Sequence, residues 1–392
     1  MFSTRLPENL ASNQFAELLA AKQAAGVAII DLTLSNPSCA GFSFAGRPMP
    51  QPTGEANLEL YRPSSQGLVA ARQAIGNYYR QQHQAPIDAD NLFITASTSE
   101  AYSYLFKLLA DPAEQILVPA PGYPLFDLLA DLEKVEAVHY PLRQNRQGLW
   151  RLDFPVLQEL LSPRSRAIIV VNPNNPTGSL LTRSELAQLE ALCKQAGLAL
   201  IVDEVFLDYP ASTVAERPRT ALAQPGEALT FVLSGFSKVL ALPQAKLSWI
   251  HVGGPEQLQQ LAKERLEFIA DSYLSVGSLI QQQAEGLLAG REAVQREIRQ
   301  RLAANETLLQ GVDGLGLSPR EGGWYAVIRL PPGLDDEQCC LELLSHYNLV
   351  VHPGFFYDFA DERTIVLSLL CPEESFGEGL RRLQAFLISQ AR

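Results

Sequence analysis

Ala167-Ile168-Ile169-Val170-Val171 and Leu198-Ala199-Leu200-Ile201-Val202 are two apolar runs, and a segment with the marks of a helix joins them. The joining segment begins at Thr182 with a Thr-x-x-Glu capping box, which satisfies free N–H groups at a helix start, and it ends before Gly197. Similar apolar runs lie at 116–118 and 229–233. Near-continuous apolar strands separated by helices are typical of a mostly parallel sheet that is covered on both faces. The sequence therefore predicts an α/β fold around such a sheet, with helices on both faces.

The chain outside this alternation contains further predicted elements. Hydrophobic spacing predicts helices at 14–25 and 67–82 and a strand at 28–32, with a Gly- and Pro-rich loop at 39–60. A strand at 247–252 and long helices at 256–305 follow. The chain closes with a smaller α+β set, which has strands at 324–329, 349–351 and 364–370 and helices at 335–346 and from 373. We therefore predict a large domain at 40–285 and a small domain built from 1–39 and 286–392.

Composition excludes several classes of partner. The 392 residues carry a formal net charge of −12, which disfavours binding to nucleic acid or to an anionic membrane. The five cysteines are scattered without C-x-x-C spacing, which favours reduced thiols over a disulfide framework or a metal site. The first residues lack a signal-peptide pattern, and no apolar run reaches the ~18 residues of a membrane helix. We expect a cytoplasmic protein without a metal.

Lys238 lies in an unusual setting for a lysine. Apolar residues flank it at 231–233 and 239–242, and a second cation, Lys246, follows eight residues later. A solvated surface charge is the commoner role for a lysine, but these flanks predict a largely buried one. Burial and a neighbouring positive charge both lower the pKa of an amine, and a neutral amine can attack a carbonyl to form a Schiff base.

Three polar groups follow apolar strands directly. They are Asn172 to Gly178, Asp203, and Ser234 to Lys238. Because the carboxyl ends of parallel strands share one edge of a sheet, we expect these groups to converge. A turn or cap role would explain each alone, but their joint placement beside a buried lysine favours a ligand site.

Two further segments extend this site. Ser97-Thr98-Ser99 precedes the helical run at 101–110, and hydroxyls with free N–H groups at a helix start suit a phosphate. Tyr123 follows another strand, where an aromatic ring can stack on a flat ligand. An ordinary cap and a packing aromatic are the commoner roles, but Lys246 as a further cation favours the phosphate. A Schiff-base lysine, an acidic partner for a ring nitrogen and a phosphate site together point to pyridoxal phosphate.

At this point the chain resembles a known family. It carries Asn174-Asn175-Pro176-Thr177-Gly178, Asp203-Glu204-Val205, and Ser234-Gly235-Phe236-Ser237-Lys238 with a cation eight residues on. From about Asp31 to the C-terminus it is similar to fold-type I pyridoxal-phosphate aminotransferases of class I/II, the aspartate aminotransferase superfamily. The resemblance implies an enzyme that moves an amino group between an amino donor and a 2-oxo acid. It also implies a large cofactor-binding domain, a smaller α+β domain and a homodimer with shared active sites.

The resemblance assigns a role to each matching residue. Lys238 would form the internal aldimine with pyridoxal 5'-phosphate and move the proton, and Asp203 would keep the pyridine nitrogen protonated. Asn175 would bond the ring 3-oxygen, and Tyr123 would stack on the ring. The phosphate would be surrounded by Ser97, Thr98, Ser99, Ser234 and Lys246, and by Tyr61 of the neighbouring subunit.

Three positions depart from the family pattern. Where this chain has Lys246 and Phe206, the family usually has arginine and tyrosine. We expect Phe206 to lie beside the cofactor. The position at which the family has its carboxylate-binding arginine is occupied by Val366 in this chain. Either Arg363, Arg47 or the turn at Ser35 and Asn36 binds the substrate instead, or the donor is not an ordinary α-amino acid.

Other functions fit the sequence less well. A pyridoxal-phosphate lyase or decarboxylase on the same scaffold is the main alternative. A ligand-sensing module would need an attached DNA-binding domain, for which the chain has no spare length. A nucleotide site is disfavoured because Gly314-Leu315-Gly316 lacks the third glycine, and the chain has no G-x-S-x-G elbow for a serine hydrolase. The sequence leaves the identity of both substrates open.

Overall fold

The computed structural model describes residues 3–6, 12–42, 63–214, 219–224, 226–312 and 314–390. The helices in this part of the chain are α1 (Gln14–Ala24), α2 (Val69–His83), α3 (Thr98–Leu109), α4 (Phe126–Glu133), α5 (Phe154–Glu159), α6 (Arg183–Ala196), α7 (Phe236–Val239), α8 (Glu256–Asp271), α9 (Ser278–Gln282), α10 (Ala284–Ala289), α11 (Arg291–Gln310), α12 (Asp336–Tyr347) and α13 (Glu373–Gln390). The strands are β1 (Ile30–Asp31), β2 (Leu92–Thr95), β3 (Gln115–Ala120), β4 (Glu136–Gln144), β5 (Trp150–Leu152), β6 (Ser165–Val171), β7 (Ala199–Asp203), β8 (Thr230–Gly235), β9 (Ser248–Gly253), β10 (Gly316–Leu317), β11 (Tyr325–Arg329), β12 (Leu349–Val350), β13 (His352–Pro353) and β14 (Thr364–Ser368).

The largest sheet has eight strands in the order β2-β9-β8-β7-β6-β3-β4-β5. Strands β4, β3, β6, β7 and β8 pair in parallel, whereas β9 is antiparallel to both of its neighbours and β5 is antiparallel to β4. The prediction of a mostly parallel sheet is therefore confirmed. The capping box is also formed, because Thr182 Oγ1 accepts from Glu185 N at 3.1 Å and Glu185 Oε2 accepts from Thr182 N at 2.9 Å.

Alternate residues of β6 enter different apolar clusters on the two faces of this sheet. Ala167, Ile169 and Val171 pack in a cluster with α3, α4 and α8, whereas Ile168 and Val170 pack with α5 and α6. Both faces are therefore covered by helices, which explains why the strand is apolar at every position. A third cluster joins α2 and α10 to β2 and β9.

A fourth apolar cluster surrounds a four-stranded sheet of order β10-β11-β14-β13, and helices α11, α12 and α13 pack into it. Strand β1 pairs in parallel with β12 and so attaches the N-terminal segment to this part of the molecule. Lys22 on α1 donates to Ser345 O at 2.9 Å and to Asn348 Oδ1 at 2.6 Å. These two hydrogen bonds also attach α1 to the end of α12.

The predicted domain boundary at residue 285 lies inside α10. Leu287 on α10 packs in the cluster of Trp249, whereas Ile298 on α11 packs in the cluster of Trp324. The apolar clusters thus change between these two helices. All five cysteines are free thiols, and no helix among the described residues is both long and apolar enough to cross a membrane.

Candidate active site

A cavity of about 310 Å³ lies at the carboxyl ends of the central strands. Ten of the residues predicted from the sequence line it: Ser35, Ser97, Thr98, Ser99, Tyr123, Asn175, Asp203, Phe206, Lys238 and Lys246. They come from loops after β1, β2, β3, β6, β7 and β8 and before β9. The structure therefore brings together the segments that were expected to converge.

Lys238 is in the short helix α7, which follows β8. Its Nζ lies 5.0 Å from the centre of the Trp324 ring and 5.5 Å from that of Phe206, and it donates to no acceptor among the described residues. Burial lowers the pKa of this amine to about 8, although attraction to Asp203 works in the opposite direction. The backbone is fixed too, because Tyr209 Oη donates to Lys238 O at 2.6 Å. The result is an amine that is held in place and loses its proton easily.

Asp203 ends β7 and is 5% exposed. Its Oδ2 accepts from Tyr102 Oη at 2.9 Å, and its Oδ1 accepts from Val205 N at 3.0 Å. Burial raises the pKa of this carboxyl group to about 6, while these hydrogen bonds and Lys238 oppose the rise. A cationic ligand group in the cavity would favour the ionised form further. No sequence pattern predicted a role for Tyr102, which is a buried residue of α3.

One end of the cavity suits an anion. Ser97 is the N-cap of α3, where its Oγ accepts from Glu100 N at 3.1 Å, and Thr98 and Ser99 in the first turn line the cavity. The first N–H groups of a helix have no acceptor within the helix, and the helix dipole adds partial positive charge there. Lys246 lines the same cavity and forms no ion pair with any described residue. Glu100 accepts from Ala96 N at 2.6 Å and from a serine hydroxyl, so hydrogen bonds occupy its carboxylate.

Asn175 and Tyr123 lie on other parts of the wall. Asn175 is 7% exposed, and its Oδ1 is buried without a partner in the described part of the chain. Tyr123 is partly buried, with its ring 5.7 Å from Phe126 in an edge-to-face contact. Phe206 packs edge-to-face against Trp324 at 5.3 Å. Because the side-chain oxygen of Asn175 has no partner among the described residues, this side chain is available to a ligand.

Two predicted residues do not line the cavity, and a third lies outside the described residues. Ser234 is at the end of β8, 2% exposed, and does not line the cavity, although its Oγ is buried without a partner among the described residues. Ser237, next to the lysine, lines the cavity instead. Asn36 is exposed and accepts from Ser38 N at 3.1 Å and Ser38 Oγ at 2.7 Å, so it stabilises its own turn. Tyr61 lies outside the described residues.

No guanidinium group lines the cavity in the described ranges. Val366 is 1% exposed in the middle of β14, where it pairs with Val327 and His352. Arg363 does not replace the missing arginine, because it does not line the cavity. Its Nε instead donates to Asp361 Oδ1, at a distance of 3.0 Å. The third candidate, Arg47, lies outside the described residues. Of the two turn residues that were predicted to bind the substrate, Ser35 lines the cavity.

Sequence reasoning missed several residues of this site. Tyr325 and Ser248 line the cavity, and Trp324 packs beside the amine of Lys238. Only Ser237 had a usable sequence signal, namely its position beside the lysine. Tyr325 and Ser248 lie in strands that reach the site from distant parts of the chain, and Trp324 directly precedes one of these strands.

The residues present fit pyridoxal phosphate. Asn175 Oδ1 and Ser234 Oγ are buried without a partner among the described residues, which is a state that bound polar groups normally relieve. Lys246, which has no ion-pair partner in the described part of the chain, lines the cavity together with the start of α3, and the Lys238 amine of lowered pKa lines it together with the buried Asp203 carboxyl group. These are the partners that a phosphate, an aldehyde and a ring nitrogen require.

Comparison with known proteins agrees with this chemistry. The family model described as aminotransferase class I and II matches residues 53–381. An alanine aminotransferase of Mycobacterium bovis is 27% identical over 379 residues, covering 94% of this chain and 87% of that protein. The glutamate-pyruvate aminotransferase AlaA of Escherichia coli is 25% identical over 350 residues, covering 85% and 84%. The alanine aminotransferase structure from Pyrococcus furiosus shares the fold with a TM-score of 0.87 at 22% identity, covering 99% of this chain and 100% of that one.

Proposed function

The chain belongs to the aminotransferase class I and II family, and we propose that Lys238 is the residue through which it handles its cofactor. The protein is a pyridoxal-phosphate-dependent enzyme that transfers an amino group between an amino donor and a 2-oxo acid. One observation carries the role of Lys238: its amine lies in the cavity with a pKa of about 8 and no acceptor among the described residues. The relatives named above are all aminotransferases and give no support to a lyase or decarboxylase.

Asp203, Asn175 and Tyr123 would hold the cofactor ring. Bound pyridoxal phosphate supplies an aldehyde that condenses with amines and a ring that accepts electrons. The Asp203 carboxylate, fixed by Tyr102, would accept a hydrogen bond from a protonated ring nitrogen. The Asn175 amide would donate to the ring oxygen, and Tyr123 would cover one face of the ring. Lys238, once neutral, would take and return a proton beside them.

The anion-binding end of the cavity would hold the phosphate. The N–H groups and hydroxyls of Ser97, Thr98 and Ser99 are donors at the start of α3, and Lys246 adds a full positive charge. Ser234, which the sequence pattern also assigned to the phosphate, has a buried Oγ that does not line the cavity. The rings of Phe206 and Trp324 lie beside the amine, 5.5 and 5.0 Å from it, and contribute to its burial.

We also propose that the active enzyme is a homodimer, with Tyr61 of one protomer reaching the phosphate of the other. An apolar stripe supports this proposal, because three residues on the outer side of α8 are exposed despite being apolar: Leu258, Leu261 and Phe268. Phe268 alone is 78% exposed. Ser65, which follows the segment of Tyr61, bonds Glu267 on the same helix at 2.9 Å. The stripe therefore lies near the point where that segment joins the described chain.

Two further proposals concern location and domain organisation. A cytoplasmic location is supported by five free thiols, four of them buried. A division into a large domain at 40–285 and a small one at 1–39 and 286–392 is supported by the change of apolar cluster between α10 and α11.

The substrate proposal follows from the wall around Ser35 and Tyr325. The alanine and glutamate-pyruvate aminotransferases named above take α-amino acids, as their names state. Among the described residues, Ser35 and Tyr325 offer neutral groups, Lys246 belongs to the anion-binding end, and no guanidinium lines the cavity for an α-carboxylate. We propose that the preferred donor is recognised mainly through its side chain or lacks the α-carboxylate.

Reduction with borohydride tests the role of Lys238. The purified protein is expected to be yellow, and reduction should fix the cofactor to Lys238 in a peptide map. Lys246→Ala is the matched control, because it removes the other cavity lysine and should leave the label on Lys238. A label on another residue, or none, would remove Lys238 from its proposed role.

A further inference from the structure

Gly235 and Ser248 face each other across β8 and β9. The backbone of Gly235 is extended, with φ of −177°, so its conformation does not require glycine. The requirement comes from space instead. A Cβ atom at position 235 would lie 2.2 Å from Ser248 Oγ and 2.8 Å from Ser248 Cβ. The serine hydroxyl therefore occupies the place that a side chain at position 235 would take.

The hydroxyl of Ser248 opens onto the cavity. Ser248 is only 3% exposed but belongs to the cavity wall, and its Oγ forms no hydrogen bond with any described residue. Its other neighbour in the sheet, Thr95, contrasts with it, because Thr95 Oγ1 donates to Ser97 O at 3.1 Å. A buried hydroxyl without a protein partner at a cavity wall is a donor available to a ligand.

The position of Ser248 selects the group it would bind. It pairs with Thr95, which leads into the Ser97 cap of α3, and with Gly235, which leads into the turn of Lys238. Lys246 lies two residues before it. Ser248 thus stands between the two arms of the anion-binding end.

We propose that Ser248 Oγ donates a hydrogen bond to the cofactor phosphate and that Gly235 is the positioning residue that leaves room for it. This inference rests on the proposed function of the cavity. It also explains how the site gains a hydroxyl although Ser234, the serine that the sequence pattern selects, does not reach the cavity wall.

Titration of cofactor-free protein tests the proposal. The probes are pyridoxal phosphate and pyridoxal, which lacks the phosphate, and the dissociation constant is read from absorbance and fluorescence. Ser248→Ala is expected to weaken pyridoxal phosphate about tenfold and to leave pyridoxal unchanged, since only the phosphate loses a charge-assisted hydrogen bond. Thr230→Ala is the matched control, because it removes a buried hydroxyl at the far end of β8, where Thr230 Oγ1 donates to Ala228 O at 3.1 Å. It should leave both constants unchanged.

A swap of the two residues sharpens the test. Gly235→Ala should lower both Tm and phosphate affinity by crowding Ser248. The double variant Gly235→Ser, Ser248→Gly moves the hydroxyl to the other strand and should recover most of the affinity. Equal losses for both probes in Ser248→Ala would overturn the proposal, as would a folded swap variant that binds no better than Ser248→Ala. If the wild-type protein does not bind pyridoxal phosphate, the proposed function itself fails.

Discussion

Replacing Tyr102 by phenylalanine should change the charge of Asp203 without changing the shape of the site. The Tyr102 hydroxyl is 2.9 Å from Asp203 Oδ2, and its ring packs edge-to-face on Phe126 at 5.4 Å, a contact that phenylalanine keeps. A hydrogen bond to a charged group contributes about 1.5–3 kcal/mol. Since one pKa unit corresponds to about 1.36 kcal/mol, its loss should raise the pKa of Asp203 by about 1–2 units. The pKa would then rise from about 6 to about 7–8.

The consequence is a displaced pH dependence of cofactor binding. If the ionised carboxylate holds the protonated ring nitrogen, affinity rises with pH as Asp203 loses its proton. The part of this rise that Asp203 controls should be centred near pH 6 in the wild type and move to about pH 7–8 in Tyr102→Phe, whereas the part set by Lys238, with a pKa of about 8, is common to both proteins. The measurement is the dissociation constant of pyridoxal phosphate at half-unit intervals from pH 5 to 8.5. At pH 7 the variant should bind more weakly, and at pH 8.5 the difference should shrink.

A matched control separates charge from packing. Tyr140 is equally buried, and its hydroxyl donates to Ile169 O at 2.7 Å, away from Asp203. Tyr140→Phe should lower Tm and leave the pH dependence of binding unchanged. A Tyr102→Phe profile that keeps its midpoint and only loses affinity uniformly would refute the reasoning.

Three further predictions follow from the same geometry. Phe206→Tyr should lower by about 1–2 units the pH at which the absorbance of the bound cofactor changes, because the new hydroxyl stabilises an anionic ring oxygen. Tyr209→Phe is the control and should leave this pH unchanged, since the Tyr209 hydroxyl donates to Lys238 O. An unchanged absorbance titration in Phe206→Tyr would contradict the idea. Burial raises the pKa of Glu204 to about 8, so the folded protein holds this proton more tightly than the unfolded chain, and the urea midpoint of the cofactor-free protein should fall from pH 5 to 8.5; Glu204→Gln should flatten this slope, and an equal slope in both proteins would count against it. Alanine and aspartate should show kcat/KM values at least about tenfold below those of donors without an α-carboxylate, because no guanidinium lines the described cavity; efficient turnover of either amino acid would sink this prediction.

The residues next to strand ends could be predicted from the sequence. Asp203, Asn175 and Lys238 each follow an apolar run, and a parallel sheet brings the ends of such runs to one edge whatever the details of packing. Ser97 was predicted by a different local signal, its hydroxyl at the start of a helical run, and it is the N-cap of α3. Local sequence was therefore enough for groups whose position depends on chain direction alone.

Other parts of the site depend on register and on packing between distant segments. Ser248 opposes Gly235 only because β9 turns back antiparallel to β8, and no local pattern fixes that pairing. Trp324 reaches Lys238 from beyond α11, with its ring 5.0 Å from the amine. Asn36 was predicted to bind the substrate but does not line the cavity, because its side-chain oxygen already accepts hydrogen bonds from Ser38 two residues away. A polar side chain beside a site has competing local partners, and the sequence does not reveal which partner it binds.

The buried amine of Lys238 also bears on how fast a newly made chain acquires its cofactor. With its ordinary pKa of 10.5, about one molecule in three thousand would carry a neutral amine at pH 7, whereas a pKa of about 8 gives about one in ten. Only the neutral amine attacks an aldehyde, so the rate of capture at low cofactor concentration rises in the same proportion, about 300-fold. The empty protein therefore exists for a shorter time. Desolvation of one side chain thus favours faster capture of the cofactor.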